Sequence, residues 1–187
     1  MQLLKRISNK MDNYANRRWF LPLLPMLFGV LLIMHQLTLR IKGMHEEIPD
    51  MRYWGYNMHS LKEFLDKIGA IGRNDFIKNL YVDFLFIMLF MLLTSLFITY
   101  LTRKADIHSS LRYLYLLPFI RSLLDIGENI MLLFICMHYP SKFPMLASIC
   151  SVVTITKFVV LWSMVIVMLW LCIIILVKRI QKNGGDI

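Results

Sequence analysis

Four apolar stretches, roughly 19–39, 79–101, 113–137 and 145–177, constrain this chain more than any other feature. Each is long enough to cross ~30 Å of hydrocarbon, which takes ~20 helical residues. The last exceeds that length and has to tilt or extend past the bilayer. Lipid offers the backbone no hydrogen-bond partner, so spanning segments must be helices or closed barrels. A period-two alternation of apolar and polar residues is absent, which leaves helices. Composition agrees: 58% of the 187 residues are apolar and 18% charged, against ~45–50% apolar in soluble domains. The reading is an all-α polytopic membrane protein, four transmembrane helices in one bundle, in a plasma or bacterial inner membrane.

The formal net charge of +9 would point to nucleic acid on a soluble surface. Here much of it flanks the apolar runs, where anionic headgroups account for it, and no nucleic-acid partner is expected. With the N-terminus inside, segments 1–18, 102–112 and 178–187 carry eleven Lys/Arg and three Asp/Glu. The outer segments 40–78 and 138–144 carry eight basic and six acidic residues. That asymmetry favours both termini on the cytoplasmic side. Residues 1–18 read as a basic interfacial segment, with Leu3, Leu4, Ile7, Met11 and Tyr14 near one helical face. Together with the first apolar run they read as a signal anchor, because no small-x-small cleavage site follows. Residues 19–177 form the bundle and 178–187 a basic cytoplasmic tail.

Loop 40–78 is the one sizeable extramembrane piece. Ser60-Leu61-Lys62-Glu63 has the form of a capping box. Leu61, Phe64, Leu65 and Ile68 then repeat at helical spacing. Gly69 is placed to stop that helix, and Asn74-Asp75 to begin the next. This predicts a short amphipathic helix on the outer face, with Arg52-Tyr53-Trp54-Gly55-Tyr56 as interfacial aromatics. Pro22, Pro25 and Pro118 fall near predicted helix starts, where a missing N–H costs little.

Ionisable side chains inside spans are costly and mark functional candidates. They are Asp83 in the second span, Arg121, Asp125 and Glu128 in the third, and Lys157 in the fourth. Asn129 accompanies them, with His35 near the outer end of the first span. At 100° per residue, Arg121, Asp125, Glu128 and Asn129 share an arc of about 100° and must face the bundle interior. At ~1.5 Å per residue, Asp125, Glu128 and Lys157 lie at similar depth, with Asp83 and His35 closer to the outer end. Three carboxylates then face two cations, and an unpaired charge in low dielectric takes up a proton or a partner.

Three readings follow. The core binds a small ligand, ion, proton or lipid headgroup. Alternatively, the protein is a non-catalytic accessory or assembly subunit of a membrane complex, with a membrane-protein partner or as a homo-oligomer, whose buried charges only fix helix packing. In the third, Glu128 or Asp125 serves as acid or base in a lipid-modifying enzyme. The balance leans away from an enzyme. No ligand-spacing motif marks a metal site at His35, Asp83 and Glu128. Paired in-membrane histidines for haem, Gly-rich phosphate loops and Ser-centred elbows are all missing, so no cofactor is expected. Cys136 and Cys150 lie near the outer ends of adjacent spans but have no redox spacing.

The run Gly55-Tyr56, Leu65, Ile68-Gly69-x-x-Gly72-Arg73, Asp83, Leu124-Asp125-x-x-Glu128-Asn129 and Lys157 resembles a family of small four-helix integral membrane proteins. The resemblance spans nearly the whole chain. It implies four spans and no particular activity.

Overall fold

The structure is a computed structural model that describes residues 17–41, 48–106 and 109–184. Of the interfacial segment predicted at 1–18, residues 1–16 lie outside these residues, and Arg17 and Arg18 begin the first helix. Among the described residues four α-helices follow one another: α1 (Arg17–Arg40), α2 (Met58–Lys104), α3 (Leu117–Met137) and α4 (Pro144–Gly184). A 3-10 turn stands at Pro49–Met51 and a longer 3-10 helix at Ser109–Leu116. No strand occurs among the described residues.

Three of the helices, α1, α2 and α4, are long and apolar enough to cross a membrane. This points to a membrane location. The 21 residues of α3 would extend ~32 Å at 1.5 Å each. Arg121, Asp125 and Glu128 keep it out of the purely apolar class.

Small side chains set how α3 and α4 meet. In α4 the buried positions Ala147, Cys150, Thr154, Lys157, Met164 and Leu171 follow the three–four spacing of a heptad seam. Ala, Cys, Ser151 and Thr at its first half let the backbones approach closely. The matching face of α3 is Pro118, Arg121, Ser122, Asp125, Glu128, Asn129, Leu132 and Cys136. α2 contacts both α3 and α4, whereas α1 packs on α2 and leaves most of its surface exposed.

Two apolar clusters hold the ends of the bundle. At one end Leu61, Phe64, Leu65, Phe76 and Leu80 of α2 pack on Leu132, Ile135 and Cys136 of α3 and on Ala147 and Cys150 of α4. At the other, Ile98 and Leu101 of α2, with Ala105, meet Leu171 of α4. There Lys178 donates to the carbonyls of Ala105 and Asp106 and closes the C-terminus of α2.

Several boundaries differ from the sequence reading. α2 begins at Met58, with Asn57 as its N-cap. Asn57 Oδ1 accepts from the Ser60 backbone N–H at 2.9 Å, and Ser60 Oγ accepts from the Asn57 N–H at 3.1 Å. Ser60 is therefore the third residue of a capping box rather than its cap. Glu63 turns instead to His59, one turn earlier. Gly69 does break the helix, at φ 65°, a left-handed value that suits a residue without Cβ. The chain resumes helix directly beyond it. Asn74-Asp75 is thus internal, and Asp75 pairs with Lys78 at 3.1 Å instead of capping. Pro22 and Pro25 lie inside α1, because that helix already starts at Arg17. Residues 113–116 belong to the 3-10 helix ahead of α3, and α4 runs past 177.

Candidate functional site

The four polar residues of α3 lie on its buried face, and Lys157 of α4 comes to meet them. Arg121 Nη1 stands 2.7 Å from Asp125 Oδ2, one helical turn apart. Lys157 Nζ bridges Asp125 Oδ1 at 3.3 Å and Glu128 Oε2. Thr154 Oγ1, one turn before Lys157, bonds the other oxygen of Glu128. Asn129 Nδ2 donates to Asp83 Oδ2 of α2 at 2.7 Å. The guanidinium of Arg121 lies 4.6 Å from the centre of the Phe90 ring. One network therefore ties α2, α3 and α4 together. Asp125, Glu128, Asn129, Arg121 and Lys157 are all buried, while Asp83 is half-buried at its edge.

His35 is placed elsewhere. It is exposed on α1, a helix that packs on α2 yet keeps most of its surface exposed. It lines a cleft beside the network. Cys136 and Cys150 are buried free thiols. Cys150 Sγ instead accepts from the Tyr56 hydroxyl at 2.9 Å. Among the described residues, no three His, Cys, Asp or Glu converge as metal ligands would.

Sequence reasoning missed Asp50. The connection into α2 does not stay on the surface but runs inward along α4. Tyr56 N–H donates to Ser151 Oγ at 2.8 Å. Gly55 lies against Ser151 and Ile155, and the Tyr53 ring sits 4.4 Å from Phe158. Counted from Pro144, Phe158 lies ~21 Å along α4, so this segment descends well into the bundle. Asp50 rides on its inner turn, 9% exposed. It is within electrostatic reach of Lys157 and Asp125.

The inventory of the centre changes accordingly. Buried Asp50, Asp125 and Glu128 stand against buried Arg121 and Lys157, one carboxylate more than the cations, with Asp83 and Arg52 both half-buried at the edge. Arg52, half-buried on the same segment, lines both the cleft and a surface groove containing Glu63 and Asp66. Several buried polar atoms also lack a hydrogen bond: Asp50 Oδ1, Asn79 Oδ1, Arg121 Nε and Ser122 Oγ. Such atoms are costly unless something supplies the missing partner. No protein-family model, curated protein or solved structure matches this chain.

Proposed function

We propose that this chain is a four-span membrane protein whose buried, carboxylate-rich centre binds a cation or protons. α3 is the fourth span, its charged face turned onto α2 and α4 and its Leu, Ile and Phe face turned to lipid. Both ends of the bundle's helix set, at α1 and α4, lie on the cytoplasmic side, and helix 58–68 caps the outer end. The reading is carried by one observation: three buried carboxylates, Asp50, Asp125 and Glu128, share the centre with two buried cations. A core that only locked helices would need no such excess, since unneutralised charge in low dielectric is strongly unfavourable.

A spectroscopic and a stability measurement test this together. Infrared spectra of the protein in lipid nanodiscs should show a protonated-carboxyl stretch that shrinks in Asp50→Asn and in Asp83→Asn. If a metal cation fills the centre instead, thermal stability should depend on which cation is supplied, sodium, potassium or calcium, at matched ionic strength. A spectrum without protonated carboxyl, combined with identical stability in all these salts and in choline chloride, would overturn the proposal.

Orientation has its own test. Lys67 and Lys142 belong to the end of the bundle where Asp66 bonds Tyr139. Lys104 lies at the opposite end, beside the contact of Lys178 with Ala105. In a background lacking Cys136 and Cys150, cysteines at positions 67 and 142 should react with an impermeant thiol reagent in intact cells. A cysteine at position 104 should not. The reverse pattern would invert the assignment of faces.

A further inference from the structure

The inward segment leaves a cleft of about 780 Å³ between itself, α1 and α2. Its floor and its rim differ in chemistry. On the floor stand Asp50, 9% exposed, and Asn79, 4% exposed. Each also carries a side-chain oxygen that is sealed from solvent and has no hydrogen-bond partner. On the rim stand Leu31, Met51, Tyr53 and Trp54, all large and exposed. Because Tyr53 packs on Phe158, well below the end of α4, that rim faces hydrocarbon in a four-span arrangement. An opening of this kind admits molecules from the side, out of the lipid.

The floor selects by donor count and charge. One anionic and one neutral acceptor call for a cation with more than one N–H. A primary ammonium has three donors, a quaternary ammonium none, and a hydroxyl one without charge. Charge-assisted hydrogen bonds from such a head are the stronger class. The volume lies in the ~300–1,000 Å³ range usual for small-molecule sites. We propose that this cleft binds an amphiphile with a primary ammonium head, seating the head on Asp50 and Asn79 and the chain along Leu31, Met51 and Trp54. The assignment rests on the cation-binding reading above and names its ligand class. The head brings one positive charge to the side of the centre where carboxylates are in excess. Two sources share this chemistry, a free long-chain amine and an aminophospholipid headgroup, whose phosphate would lie toward Arg52 on the cleft wall.

The test is binding of radiolabelled dodecylamine to the full chain in phosphatidylcholine nanodiscs, with empty nanodiscs subtracted. Wild-type protein should bind it saturably and at least about tenfold more tightly than dodecyltrimethylammonium or dodecanol. Asp50→Asn should weaken amine binding at least about tenfold and Asn79→Leu severalfold, while Glu63→Gln on the outer surface should leave it unchanged. Competition by phosphatidylethanolamine placed in the nanodisc would assign the lipid headgroup, and its failure to compete would assign a free amine; either supports the site. Equal affinity for dodecylamine and dodecyltrimethylammonium in wild-type protein would overturn it, and that comparison needs no variant to fold. Wild-type affinity in folded Asp50→Asn would overturn it too. If amine selectivity is absent while the carboxyl band or the cation dependence persists, the cleft assignment falls and the cation-binding centre stands. If both are absent, both fall.

Discussion

Lys157→Met should destabilise the protein by ~3–5 kcal/mol and sharply lower the amount that accumulates in membranes. Removing one member of a buried ion pair strands its partner, and the cost is mainly that of the stranded charge. Here the lysine serves two carboxylates, Asp125 at 3.3 Å and Glu128. They are not equally dependent on it. Asp125 keeps Arg121 at 2.7 Å, whereas Glu128 keeps only the Thr154 hydroxyl. Pairing Lys157→Met with Glu128→Gln should therefore restore most of the loss, and pairing it with Asp125→Asn should restore less. Thermal unfolding of detergent-solubilised protein, read beside membrane accumulation, checks the order. A Lys157→Met variant as stable as the parent would show that the network carries little of the packing. Equal rescue by the two partners would show that Arg121 does not hold Asp125 as described.

The parts of this molecule that sequence made legible are those governed by helical periodicity. Arg121, Asp125, Glu128 and Asn129 fall on one face of α3 because 100° per residue puts them there, whatever the neighbours do. The depth of Lys157 follows from counting rise along α4, and the structure brings its ammonium to Asp125 and Glu128. Asp50 was not legible. It follows Glu46, Glu47 and Pro49 in what reads as a polar outer loop, and no periodic signal reports that such a loop turns inward. Only the tertiary contacts of Tyr53, Gly55 and Tyr56 with α4 do so. The N-terminus of α2 shows a different limit. Asn57-x-x-Ser60 and Ser60-x-x-Glu63 both have the side chains of a capping box. The anchoring of Tyr56 to Ser151 fixes the extended chain just ahead of Asn57 and so favours the earlier one. His35 illustrates the converse. A polar residue in an apolar span need not turn inward when its helix is peripheral and packs on one neighbour.

Gly55→Val should be as damaging as losing the central lysine, at ~3 kcal/mol or more, although no charge is involved. Gly55 has φ +77°, a region where β-branched residues are strained. Any Cβ there would overlap Ser151 Oγ and come within 3.0 Å of Ile155 Cδ1. Ser151 cannot simply step aside, because its hydroxyl accepts the Tyr56 N–H. The substitution therefore adds backbone strain, forces a shift against α4 and loosens the hydrogen bond that keeps the segment turned inward. Asp50 would withdraw from the centre with it. Gly55→Ala adds only the Cβ, and so combines the left-handed strain with the overlap but without a branched side chain. Gly55→Ala and Ser151→Gly should each destabilise alone, yet the double variant should lose less than their sum, because the overlap is gone once Oγ is removed. The thermal shifts of the three variants measure that coupling directly. Strictly additive losses would mean that Gly55 and Ser151 do not touch, and that the segment carrying Asp50 does not reach the centre along α4.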